Sequence, residues 1–242
     1  IKASVAVLVM ALAVSLGMAT TLIVSNTNAR GAGSLQQALL DANATNGLDT
    51  IVFQIPGTGV RTISPTNALP TITDPAVVDG TTQPGFAGTP LIELNGSSAG
   101  TSSDGLRLSA GNSTIRGLII NRFYGAGISL QAPGGTNTIQ GNYIGTDWTG
   151  TTNRGNGQAT TRMGGVLIQG SSGNFMGGRH STNRNLISAN GGSGLYLQNC
   201  SGNTIQGNLF GTSVSATAAL GNTTTGVTLY NANGNLIGGT ST

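Results

Sequence analysis

Charge is what this sequence has least of. Asp, Glu, Lys and Arg together make up 7% of its 242 residues, against about 25% in an average soluble domain. There is one Cys, one His and one Trp, and aromatic residues reach only 4%. Each scarcity excludes something. A lone Cys200 cannot form an internal disulfide, and one Cys with one His cannot make a Cys/His zinc set. Nucleic-acid binding needs clustered Lys/Arg interleaved with aromatics. Here Lys2 is the only lysine and the arginines are scattered. No Asp-x-Asp or Asp-Asp pair occurs, so no cofactor and no metal are expected, and no nucleic acid as partner.

Little charge with 40 glycines could describe a disordered chain, but such chains are poor in β-branched residues. This one places Ile, Val, Leu and Thr in short alternating runs bounded by Gly and Asn, the texture of strands and turns. Two phrases recur. Asn137-Thr138-Ile139-Gln140-Gly141-Asn142-Tyr143-Ile144-Gly145-Thr146 returns as Asn203-Thr204-Ile205-Gln206-Gly207-Asn208-Leu209-Phe210-Gly211-Thr212. Gly-Asn-x-x-Gly-Gly occurs at 173–178 and again at 234–239. A third unit, Gly-apolar-x-apolar, starts at Gly105, Gly127, Gly165, Gly194 and Gly226. Repetition at a few tens of residues marks a repeat architecture, here a parallel β-solenoid. Ile139 and Ile144 are expected in the core. Asn142, Asn208, Asn174 and Asn235 are expected at corners, where Asn tolerates left-handed backbone and stacked amides bond from coil to coil.

Residues 1–19 carry a basic start, an apolar run from Ala3 to Leu16 and a Gly-x-Ala exit, as in a secretory signal peptide. Residues 20–60 read as a strand, a helix and a first coil, and 61–242 as the coils. The helix opens at Ser34 with Gln37 three residues on, a capping box. Leu35, Ala38, Leu39 and Ala42 give it one apolar face, and Gly47 stops it. Such a helix would cover the apolar end of the first coil. Further strands are expected at Asp49–Ile55 and Leu91–Leu94, with loops at 56–70 and 79–89. The last repeat stops at Thr242 without a capping element, so an open last coil and further coils of the same parent chain are expected.

The run Gly33-Ser34-Leu35-Gln36-Gln37-Ala38-Leu39-Leu40-Asp41-Ala42-Asn43 resembles the opening motif of a family of secreted bacterial right-handed parallel β-helix repeat proteins. Its relatives open with Cys-Ser-Leu-Arg-Glu-Ala, and the wider group is the pectate-lyase-like β-helix superfamily. This chain has Gly33 for the Cys and Gln36-Gln37 for Arg-Glu. The resemblance continues through Asp49–Phe53, Leu69–Thr73, Val78–Gly85 and both repeat phrases. It implies an all-β, right-handed parallel β-helix with an N-terminal amphipathic capping helix, in a secreted or cell-surface bacterial protein. It implies no uniform activity, since fold does not fix function.

Glycoside hydrolysis needs two flanking carboxylates. The regular coils hold only Asp104 and Asp147, and Asp74 and Asp79 read as turn residues beside Pro75 and Gly80. The best candidates for binding chemistry are instead on two insertions, whose residues also read as plain structure, with Trp148 folded back over the coil, Asp147 capping a turn and the arginines solvated. One carries Asp147 and Trp148 and runs to Arg162, with Tyr143 beside it as a second sugar-stacking ring. The other carries Arg179, His180 and Arg184. Residues 20–104 hold two arginines against six carboxylates, whereas 105–242 hold seven against Asp147. That mild positive field suits an acidic glycan. The expected function is a non-catalytic structural or adhesive segment. The alternative is a polysaccharide-binding or polysaccharide-active coil with its site on the insertions or beyond residue 242. A polysaccharide or surface glycan is the expected partner, and contact with a membrane is expected only through residues 1–19.

Overall fold

The structure is a computed structural model and describes residues 18–157 and 164–239. The apolar core of the expected signal segment and Arg162 lie outside the described residues. Among the described residues no helix is long and apolar enough to cross a membrane.

The chain is mostly β and builds three parallel sheets of eight, six and five strands. It visits them in fixed rotation. Thr114–Arg116 lies in the first sheet, Leu118–Asn121 in the second and Ile128–Gln131 in the third. The next circuit runs Thr138–Gln140, Tyr143–Ile144 and Val166–Gln169, and the next Phe175–Gly177, Leu186–Ile187 and Leu195–Gln198. Each circuit, or coil, pairs in parallel register with the one before it. All five Gly-apolar-x-apolar units open strands of the third sheet.

Strand alternation explains the core. Ile51, Val78, Ile115, Ile139, Met176 and Ile205 occupy one register column of the first sheet and are all buried. Leu108, Leu130, Ile168 and Leu197 form the matching column of the third, and Leu94, Ile120, Ile144 and Ile187 that of the second. Two strands escaped the sequence pattern, Arg61–Ile63 and Ala76–Asp79. Pro and Gly surround both, and three or four residues are too few to show a period.

The helix spans Leu35–Ala44, packs on Thr21–Val24 and Asp49–Phe53, and buries Leu35, Ala38, Leu39 and Ala42. Half of the expected capping box forms. Ser34 Oγ accepts from Gln37 N at 3.2 Å, but the Gln37 amide turns forward to Asp41, and Ser34 N donates to Gly31 O. The helix ends at Thr45, ahead of Gly47.

Three asparagine ladders run along the corners. At the first, Asn137, Asn174 and Asn203 each donate both backbone N–H and Nδ2 to the Oδ1 of the asparagine one coil on, at 2.8–3.1 Å, ending on Asn235. Asn142, Asn185 and Asn208 form the second. Asn156, Asn190 and Asn222 form the third. Each ladder amide therefore satisfies backbone that turns out of one sheet and into the next, and no buried side-chain N or O among the described residues lacks a partner. At Asn142, Asn174, Asn203, Asn208 and Asn235 the conformational role expected of the asparagine belongs to the glycine before it. Gly141, Gly173, Gly202, Gly207 and Gly234 have φ of +63 to +71°, while no ladder asparagine has positive φ. Glycine makes the turn at no steric cost, and the asparagine that follows bonds its amide to the next coil.

Candidate functional site

The outward column of the second sheet holds Glu93, Ile119, Tyr143, Leu186 and Leu209. Ile119 and Leu186 are buried although they face away from the core. The insertions provide cover on this side. The Asp147 insertion is a small hairpin, bridged antiparallel at Thr146 and Asn153, and it recurs two coils later with a bridge between Thr212 and Ala219. The repeat phrase therefore extends over twenty residues, Asn137–Asn156 against Asn203–Asn222. The two hairpins are joined by a bond from Val214 N to Gly150 O, and a Cβ on Gly150 would lie 3.0 Å from Leu186 Cδ2. They fold back over the second sheet.

This duplication defines what Asp147 does. Its Oδ1 accepts from Thr149 Oγ1 at 2.7 Å and Thr152 N at 3.2 Å. Ser213 stands at the same place in the second hairpin, and its Oγ accepts from Ala218 N at 3.2 Å. The backbone bonds match as well: Gly150 N to Asp147 O, and Ala216 N to Ser213 O. Partial burial opposes ionisation of Asp147, but the bonds from Thr149 and Thr152 outweigh it and hold the carboxyl below its ordinary value. Asp147 staples the turn. Trp148 is exposed on the hairpin.

The Arg179–Arg184 insertion leaves the first sheet and enters the second. It contains a short 3-10 turn, Ser181–Asn183, preceded by His180 without a side-chain cap bond. Gly141 N donates to Asn183 O and ties the insertion to the neighbouring coil. Of the expected site residues, the structure brings together Tyr143 and Arg184. They line a depression of about 160 Å³ with Ser181 and Thr182, over Leu186, Leu209 and Val214. Burial raises the Tyr143 phenol, opposed by a hydrogen bond with Thr89. Arg179 and His180 are exposed and do not line it. Asp147 and Trp148 do not line it either.

A second depression, about 290 Å³, was not foreseen. It lies off the C-terminal ends of Ile92–Asn95 and Leu118–Asn121 and is lined by Gly96, Ser97, Gly100, Thr101, Arg122 and Tyr124. Arg122 occupies a corner at φ +59°, where the fold places Ala189 at +63° two coils later. At both corners the following residue, Phe123 or Asn190, donates its N–H to a ladder asparagine. The signal in the sequence was an arginine, two from a tyrosine, at a turn that elsewhere carries a small residue.

The remaining carboxylates hold local structure. Asp41 accepts from Gln37 and Asp74 from Gly47 N. Asp49 takes Thr20 and Thr45, and these bonds outweigh desolvation to hold it below its ordinary value. Asp79 caps Thr81 and pairs with Arg116 at 2.5 Å. Glu93 takes Thr62 and Asn121. Asp104 accepts from Ala126 N, and burial raises its carboxyl. Among the described residues no cluster of three His, Cys, Asp or Glu is placed to hold a metal ion. Cys200 is buried, and desolvation raises its thiol. No protein-family model matches the chain, and no curated protein matches it.

Proposed function

We propose that the chain is a right-handed parallel β-helix segment of a secreted or cell-surface protein, a structural and adhesive scaffold with no catalysis of its own. The right-handed path follows from the strong preference of parallel crossovers for that hand. The resemblance of the Gly33–Asn43 run to the opening motif of secreted β-helix proteins supports the location.

The observation that carries the non-catalytic reading is the fate of the carboxylates. All seven accept hydrogen bonds within the fold, Asp41 from Gln37 on the helix surface and the other six from groups of a turn, a cap or a neighbouring coil. A hydrolytic pair needs two carboxyl groups facing a common space, and the one carboxylate on the insertions, Asp147, is replaced in the matching hairpin by Ser213. The experiment is incubation of the purified chain with a panel of neutral and acidic polysaccharides, followed by chromatography for shortened products. Unchanged polymer is expected. Reproducible chain shortening would end this reading and favour a polysaccharide-active coil.

A further inference from the structure

We infer that the flank of the second sheet binds a linear anionic glycan through two subsites, one at Arg122 and Tyr124 and the other at Tyr143 and Arg184. This gives the adhesive part of the scaffold reading its ligand, and it rests on that reading only in expecting no turnover.

The two depressions share one chemistry. Each is lined by a tyrosine, an arginine, a serine and a threonine beside glycine: Tyr124, Arg122, Ser97 and Thr101 in the first, Tyr143, Arg184, Ser181 and Thr182 in the second. The four residues come from different segments in the two cases, with Tyr143 on a strand and Tyr124 after one, so the recurrence is not a copy of the sequence repeat. An aromatic ring offers an apolar face to a sugar ring, hydroxyls match its hydroxyls, and a guanidinium takes a carboxylate or sulfate in a forked hydrogen bond.

The cations are available. The ion pairs among the described residues are Arg116–Asp79 and Arg122–Glu93. Among the described residues Arg184 has no carboxylate partner. Arg122 is held only loosely: its Nη1 donates to Asn121 Oδ1 at 3.4 Å and sits 3.7 Å from Glu93, beyond hydrogen-bond length, and Glu93 is already engaged by Thr62 at 2.6 Å and Asn121 at 2.8 Å. Tyr124 is 39% exposed, enough for a ring to lie on it.

The placement requires a polymer. The first depression lies off the ends of Ile92–Asn95 and Leu118–Asn121, and the other is centred on Tyr143–Ile144, Leu186–Ile187 and Leu209–Phe210, with Gly88, from the loop ahead of Ile92–Asn95, at its edge. Strand spacing of about 4.8 Å puts them on the order of 12 Å apart along the stack. A single sugar fills one, whereas a chain running along the stack reaches both, and the second contact becomes intramolecular.

Calorimetric titration of the whole chain tests this with four probes: an alginate hexamer, its uronate monomer, a heparin hexasaccharide and a cellohexaose control. Saturable binding of alginate, heparin or both is expected: binding of alginate shows that carboxylate suffices, and binding of heparin alone, which carries carboxylates too, assigns sulfate as the anion. Cellohexaose should not bind, and the monomer should bind at least about tenfold more weakly than the hexamer. Arg122→Ala and Arg184→Ala should each weaken the hexamer about tenfold, and the double variant should abolish binding. Arg122→Ala keeps the fold because Ala189 already occupies the equivalent left-handed corner, and an unchanged melting curve checks this. No saturable binding of either anionic hexamer, equal binding of cellohexaose, or an unaffected double variant would overturn the inference. Equal affinity for monomer and hexamer would overturn its two-subsite form. Shortened oligomers after titration would instead end the non-catalytic reading and leave the binding site standing.

Discussion

The two ends of the described coil stack treat the same core differently. At the first, the helix lays Leu35 and Leu39 over the apolar interior, and Ile51 and Phe53 beneath it are fully buried. In the last coil, Leu229 and Ile237 stand in the core columns yet are 47% and 44% exposed, with Leu236 at 51% beside them. Their counterparts one coil earlier, Leu197 and Ile205, are buried. The residues are chemically alike, so burial in this fold comes from the coil stacked above. A coil is half of an interface, and its apolar column contributes stability only when something lies on it.

The widest gap between the two ends should appear on truncating core side chains. Leu39→Ala should cost about 3 kcal/mol, whereas Ile237→Ala should cost about 0.5 kcal/mol, because its side chain is already half in water. Urea unfolding of the two variants reads the difference, and equal losses would mean that the last coil is covered in solution. The ladders provide the next comparison. Asn142→Ala strands the N–H of Leu118 and the carbonyl of Ile115 in the interior and should cost about 3 kcal/mol. Asn235→Ala removes the acceptor for Asn203 where water can replace it and should cost about 1 kcal/mol. A smaller effect is expected at the helix cap, where Ser34→Ala should lower stability by about 1 kcal/mol, measured as a shift in the same urea transition.

Acid should separate the ends most gently. Asp49 lies beside the helix and is held below its ordinary value of 3.8. A carboxyl with a lowered folded-state value stabilises above its unfolded value and loses that contribution as pH falls through the folded one. Below about pH 4, hydrogen-exchange protection, taken relative to the intrinsic exchange rate at each pH, should therefore fall in Thr21–Val24 and Asp49–Phe53. It should change little in Val227–Tyr230, since no Asp, Glu, Lys, Arg or His follows Arg184. Asp49→Asn should remove the acid response of the first region. A uniform response across both would show that the whole stack opens as one unit.

Much of the fold was legible because its signals are local. Gly-apolar-x-apolar located every strand of the third sheet, and Ser34 with Leu35, Ala38, Leu39 and Ala42 located the helix and its buried face. The third ladder went unread because Asn156, Asn190 and Asn222 follow a hairpin, a bare corner and a second hairpin, so their spacing is irregular. The candidate site was legible only in part. Tyr143 and Arg184 meet across neighbouring coils, whereas Asp147 is spent on its own turn, and the signal at Arg122 and Tyr124 shows only when their corner is set beside that of Ala189.

The sequence by itself determined which residues face inward and which turn corners, because period-two alternation and glycine's access to positive φ act over a few residues. Tertiary structure alone decided the partner of each asparagine, the burial of Ile119 and Leu186 on an outer face, and the meeting of tyrosine, arginine and hydroxyls in two depressions. Those depend on which coil stacks on which and where the hairpins fold back. Alternation fixes which face of a strand is buried and so its register, but it does not name the coil that stacks on it or the side on which an inserted hairpin folds back.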